Sequence, residues 1–172
     1  VYVLPKQNYL APGTTLTNLP PGKGTTHQAG YKYVYNDGDG STYYDKEFPI
    51  QIGGFDRYFH ELHIAVQPLP FASLDETYPL INGRGYPDTV NPGSITNTSV
   101  SDRVGGDPYA AQKISSLVTA AKGEYVLLRL SSVALCDFHT IRVDGIPMRV
   151  VGKDANLLRG PTGKNLSYQT TS

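Results

Sequence analysis

At 172 residues the chain suits one domain of ordinary size with a real core. Its 15 Lys and Arg balance its 15 Asp and Glu. That argues against a general nucleic-acid binder and an anionic-membrane partner, both of which need a basic excess. No apolar run approaches the ~20 residues that cross a bilayer; the strongest, "YVLLRLSSVALC", is interrupted by Arg129, Ser131 and Ser132. A single cysteine excludes an internal disulfide and zinc-ribbon chemistry. With 18 Gly, 13 Pro and 13 Tyr and no Trp, the composition reads as a turn-rich all-β protein.

In chain order, "VYVLPK" opens with a short apolar alternation expected to be a strand. A Pro/Gly/Thr-rich arm follows to Gly30, too poor in apolar residues to form a core itself and expected to drape over something else. "YKYVYNDGDGSTYYDKEFPIQI" then predicts two tyrosine-rich strands around the turn "NDGDGS". The second runs on through Phe48, Ile50 and Ile52 at period two, and Pro49 predicts an edge strand or a bulge. "LHIAVQPL" alternates through Leu62, Ile64 and Val66 and predicts another strand. "YPLINGRGYPDT" is a strand, a glycine turn and a Pro-Asp turn. "EYVLLRLSSVAL" is the most apolar segment, expected to be a central strand covered on both faces. "HTIRVDGIPMRVVG" reads as a strand kinked between Gly145 and Pro147, and the tail returns to turn chemistry.

One segment carries two opposed patterns. In "DPYAAQKISSLVTAAKGEY", Pro108 stands where a helix would start, and Ala110, Ala111, Ile114, Leu117, Val118 and Ala121 keep helical spacing up to Gly123. The β-branched "KISSLVTA" and the turn-like "AKGE" instead suit a strand and a hairpin. Local pattern leaves both open.

Four stretches invite a chemical reading. "DGDGSTYYDKEF" places Asp37, Asp39 and Ser41 at alternate positions, like a calcium loop. Thr42 and Phe48 stand where an EF-hand needs its glycine and glutamate, so a solvated hairpin tip is the better reading. "FHELH" spaces His60 and His63 three apart, one short of the zinc-protease pattern, and reads as a surface or turn pair. "CDFHTIRVDGIPM" gathers Cys136, His139 and Met148, the side-chain types of a blue-copper site, without a placed second histidine. A buried, hydrophobe-like thiol beside a strand accounts for Cys136 more simply. Asn97 and Asn165 open Asn-x-Ser sequons, which matter only in a glycosylating, secretory setting.

Beyond these motifs, "YPLINGRGYPDT" followed by "KISSLVTAAKGEYVLLRLSSVALCDFHTIRVDGIPMRVVGKDANLLRGPTG" resembles the middle cupredoxin-like domain of a three-domain, laccase-like multicopper oxidase. "DKEFPIQIGGFDRYFHE" is similar to the strand that opens that domain, and "VYVLPK" to the last strand of the domain before it. The resemblance implies an all-β, Greek-key cupredoxin-like sandwich, incomplete at its C-terminal end. Residues 1–30 would be the preceding domain's last strand plus a connecting arm, and 31–172 the domain proper. It also implies that "ISSLVTA" is a strand.

The family's copper-carrying domains have a His-x-x-His-x-His-Gly-His strand. Laid on "HTIRVDGI", it retains only His139, with Arg142, Asp144 and Ile146 at the other three positions. An arginine cannot be deprotonated to ligate, and one aspartate falls far short of a transition-metal site. Arg142 and Asp144, two apart, are placed to pair with each other. The resemblance therefore implies a segment with no catalytic, cofactor-binding or metal-binding residues, inactive alone. Copper would lie in the parent enzyme, the remaining domains of the same polypeptide would be its partners, and its location would be extracytoplasmic. The alternative is an independent extracellular β-sandwich module binding a ligand through tyrosine-rich loops.

Overall fold

A computed structural model describes residues 3–93, 95–96, 110–111, 114–154, 156–160, 163 and 166–170. Its strands are β1 (Lys32–Tyr33), β2 (Tyr43–Tyr44), β3 (Lys46–Phe55), β4 (Tyr78–Ile81), β5 (Ile95–Thr96), β6 (Ala110–Ala111), β7 (Val126–Ser132), β8 (Arg149–Val150), β9 (Gly152–Lys153), β10 (Asn156–Leu157) and β11 (Tyr168–Gln169). The α-helix α1 spans Arg57–Ile64. The protein is thus β-rich, as expected, with one short helix, α1, among the described residues. The chain divides into two compact units: Val1–Lys46 with Gly123–Leu127 and Thr140–Ser172, and Glu47–Lys122 with Leu128–His139.

The first unit is built on tyrosines. β1 and β2 pair antiparallel, Lys32 opposite Tyr44 and Tyr33 opposite Tyr43. Leu16, Tyr33 and Tyr43 form the buried cluster, against which Leu10, Leu19, Tyr31 and Tyr125 pack. The Pro/Gly/Thr-rich arm does drape, and it supplies one wall of this core through Leu10, Leu16 and Leu19. Of the expected strand at "VYVLPK", the described residues Val3–Lys6 hold no strand, and Lys6–Tyr9 is a 3-10 turn. The reason lies in Gln7 and Asn8, whose side chains bond across to Asp37, Gly38 and Tyr33 and pull the backbone out of an extended path. Elsewhere in the unit, β8 pairs with β11 and β9 with β10. Of "HTIRVDGIPMRVVG" only Arg149–Val150 and Gly152, the first residue of β9, are strand. The foreseen kink is real, a turn with Gly145 at φ +75°, but His139–Val143 pair with no strand.

In the second unit, β3 stands between β4 and β7. This corrects two expectations. β7 is an outer strand of that sheet with an exposed end rather than a central, doubly covered one. β3 holds the centre despite Pro49, because β4 pairs only with Ile52–Phe55. Beyond that register Asn82 replaces the missing strand: its Oδ1 accepts from Gln51 N at 2.8 Å, and its Nδ2 donates to Pro49 O at 3.1 Å. The proline's lost donor therefore opposes no ladder partner. Gly54 is required here for another reason, since a Cβ on it would collide with the Glu76 side chain.

The predicted strand at "LHIAVQPL" is instead the end of α1, through Ile64, followed by a turn at Ala65 and Val66. Asp56 caps the helix by accepting from Phe59 N at 2.9 Å, and Arg57 pairs with Glu61 one turn on; a cap and an i,i+4 pair outweigh a three-member alternation. "YPLINGRGYPDT" folds as expected, with β4, a turn at Asn82–Gly83 and a 3-10 turn over Asp88–Val90. The conflicted segment is neither helix nor strand over residues 114–121. Ser115 and Ser116 instead donate to the carbonyls of Asn91 and Thr89, the side-chain competition for which serine is known. Pro108 lies outside the described residues, as do the sequons at Asn97 and Asn165.

Candidate functional site

Asp37 organises the first unit. Its Oδ1 accepts from Gln7 Nε2 at 2.6 Å, Gly40 N at 2.7 Å and Asp39 N at 3.0 Å. Its Oδ2 accepts from Thr42 N at 2.8 Å and from the Thr42 hydroxyl. Asp37, Ser41 and Thr42 are buried, which corrects the solvated hairpin tip. Both carboxylate oxygens are already surrounded by N–H and O–H donors, an environment built for an anion and hostile to a calcium ion.

Beside it lies a connected ring cluster. The hydroxyl of Tyr33 meets His27 Nδ1 at 2.8 Å, and both residues are almost wholly buried. Ring centroids lie 6.1 Å apart for Tyr33 and Tyr43, 4.8 Å for Tyr31 and Tyr43, and 6.3 Å for Tyr43 and Tyr125, all edge-on. That is the arrangement aromatic quadrupoles favour. Tyr43 donates its hydroxyl to Asp45 Oδ1 at 2.6 Å, and Lys23 Nζ approaches the same oxygen at 2.6 Å while lying over the Tyr43 ring. Tyr125 N donates to Asp45 Oδ2 at 2.8 Å.

These contacts tune the groups. Burial raises Tyr33 and Tyr43 to about 12 from 10.0, helped by the Asp37 charge at Tyr33 and the Asp45 hydrogen bond at Tyr43. The Asp45 hydrogen bond raises Lys23. Burial pushes Asp45 up, but the donors from Lys23, Tyr43 and Tyr125 outweigh it and hold the carboxyl below its ordinary value. Between pH 10 and about 12 the unfolded tyrosines release protons that the folded ones keep, so stability falls as pH rises through that window. Lys23, with its raised folded value, acts in the same direction above pH 10.5. Asp45 acts on the acid side, where its contribution is lost as pH falls from the ordinary carboxylate value of 3.8 through its lower folded one. An alkaline titration followed by tyrosinate absorbance should give a late, cooperative step coincident with loss of circular dichroism. A simple ionisation near pH 10 with no such step would refute the packing described here.

The stretch singled out for copper is exposed. Cys136 is exposed, Phe138 wholly so, and His139 lies on the surface; the buried-thiol expectation is corrected. Val133, Leu135 and Phe138, which follow β7 on either side of the cysteine, are all exposed. Arg142 and Asp144 do pair, Nε to Oδ1 at 2.7 Å, but with both side chains exposed at the Gly145 turn. Ile146 is exposed, and Met148 is half-buried with its amide bonded to Thr170. The native thiol should react with a disulfide reagent within a few-fold of the rate in denaturant. Protection by orders of magnitude would contradict its exposure.

In the second unit, a shallow groove of about 530 Å³ is lined by Asp56, Arg57, Glu61, Ser73, Asp75 and Tyr78, among others. Three of its charges are already engaged. Asp56 accepts from Asp75 N and Phe59 N, which hold its carboxyl low, and Arg57 is engaged with Glu61. His60 stacks on Phe55 at 4.4 Å and, like His63, is exposed. Among the described residues no group of three or more His, Cys, Asp or Glu side chains is placed to hold a metal ion, and no helix is long and apolar enough to cross a membrane.

Compared with protein-family models, curated proteins and solved structures, the chain matches none. Sequence reasoning missed the His27–Tyr33 pair and the burial of Asp37. Their partners lie outside any local motif, and only the unusual tyrosine density of residues 31–44 hinted at a packed cluster.

Proposed function

We propose that the chain is a copper-free structural segment of a multicopper oxidase, a middle cupredoxin-like domain. Its parent would couple one-electron substrate oxidation to the reduction of dioxygen to water. The observation that carries this reading is the chemistry at the motif positions. Where the resembling family's copper strand sets histidines, Arg142 and Asp144 are joined to each other at 2.7 Å and Ile146 is apolar. The residues of this chain do not fit copper. A guanidinium already paired with a carboxylate offers no lone pair, and Cys136 and His139 lie exposed without a third ligand grouped with them among the described residues. Copper would therefore belong to the parent's other domains, which would also be its partners, in an extracytoplasmic protein.

The exposure of Val133, Leu135 and Phe138, close together in the chain after β7, supports a covering layer of further polypeptide. The Greek-key sandwich belongs to the same proposal. The competing reading, an independent binding module with tyrosine-rich contact loops, is weakened at the tyrosine-rich hairpin, where Tyr33, Tyr43 and Tyr44 are buried. Reading the coding sequence on both sides of this segment tests the proposal. Paired His-x-His strands upstream and a His-Cys-His run downstream are expected; flanks without them would overturn it.

A further inference from the structure

We propose that Tyr33 and His27 form a proton-coupled redox pair, and that the tyrosine cluster around them conducts single oxidising equivalents. The inference stands on the cluster and does not depend on where copper lies. Among the described residues, the only hydrogen-bond partner of the Tyr33 hydroxyl is His27 Nδ1, at 2.8 Å. In the His27 tautomer that carries its proton on Nε2, the phenol donates to Nδ1, which accepts, and the pair acts in that tautomer. Both side chains are shielded from water, Tyr33 completely. Removing an electron from a buried phenol leaves an acidic cation in a medium that disfavours charge, and the oxidation proceeds only if the proton has somewhere to go at once. His27 is a base within hydrogen-bond reach, the geometry that proton transfer in a reaction step requires.

The step balances as follows. A one-electron oxidant takes one electron from Tyr33 and is itself reduced by one unit. The phenolic O–H bond breaks, and an N–H bond forms at His27 Nδ1. The products are a neutral phenoxyl radical and an imidazolium. From Tyr33 the rings continue to Tyr43 at 6.1 Å, and from Tyr43 to Tyr31 and Tyr125 at 4.8 and 6.3 Å. Tyr43 has its own proton acceptor in Asp45, at 2.6 Å. Tyr31 and Tyr125 are half-buried and give the cluster its contact with the surface.

The test is photo-oxidation of the full chain by flash-generated ruthenium(III) polypyridyl, which is reduced to ruthenium(II) as tyrosine is oxidised. Radicals are followed by transient absorption and electron paramagnetic resonance. The native chain is expected to give a long-lived tyrosyl population, beyond the short-lived one from exposed tyrosines, that forms more slowly in heavy water. His27→Gln keeps an acceptor oxygen for the hydroxyl but cannot hold the proton, and should slow formation of that population roughly tenfold or more. Tyr33→Phe should remove it. If the long-lived population is absent from the native chain, or forms at the same rate in heavy water, the proposal fails without recourse to any variant. It fails equally if folded His27→Gln matches the native chain.

Discussion

Asp37→Ala is expected to cost about 4 kcal/mol, a large share of the margin of a chain of ordinary stability. The cost comes less from the carboxylate than from what it gathers. Gln7, Asp39, Gly40 and Thr42 all direct donors at its two oxygens. Deleting the side chain strands those donors where water does not reach, and each stranded group costs about 1–3 kcal/mol. Gln7 would lose a bond that ties residues 6–9 to the 37–42 loop, and with it the wall supplied by Leu10 and Leu16 would loosen. Asp37→Asn keeps the shape but turns an amide NH₂ towards donors, and should cost roughly half as much. Asp144→Ala is the control: its exposed pair with Arg142 should contribute about 0.5 kcal/mol or less. Urea unfolding followed by tyrosine fluorescence measures all three. A loss under about 1 kcal/mol for Asp37→Ala would mean that the donors had found water instead.

Arg84→Met should cost about 3 kcal/mol, and Arg84→Lys nearly as much. The guanidinium is almost wholly buried. Its Nη1 donates to Asn91 O at 2.6 Å and Asp88 O at 3.4 Å, and its Nη2 to Gly93 O at 2.6 Å. One side chain thus closes the 88–93 loop by capping carbonyls that no strand collects. A lysine has the charge but not the fork, and a single ammonium cannot meet carbonyls spread along six residues. The loss should be local before it is global. Hydrogen exchange at residues 88–93 should rise in both variants at temperatures where β3 and β4 stay protected. Unchanged exchange there would show that the loop does not depend on Arg84.

The two residues differ in how visible they were beforehand. Arg84 lies in "INGRGYPD", a turn whose glycines and Pro-Asp pair announced β4 and its two turns correctly. The Lys122–Gly123 turn and the Gly145 kink were legible for the same reason: a glycine at positive φ is a local demand. Asp37 was misread because its neighbours form an ordinary turn signature, while the residue that buries it, Gln7, is 30 positions away. α1 was missed although Asp56 stood in the cap position; the alternation of Leu62, Ile64 and Val66 competed with it, and periodicity over three residues carries little weight. Cys136 was misplaced because a thiol's burial depends on what covers the segment after β7, which no local pattern reports.

Titration of the reduced chain with stoichiometric copper(II), followed by visible absorption, tests most directly whether the metal-facing positions of this segment have lost their ligands. The expected spectrum lacks the intense thiolate-to-copper band, and Cys136→Ser and His139→Ala leave it unchanged. An intense blue band that disappears in either variant would place a copper centre in this chain and contradict the account at its root.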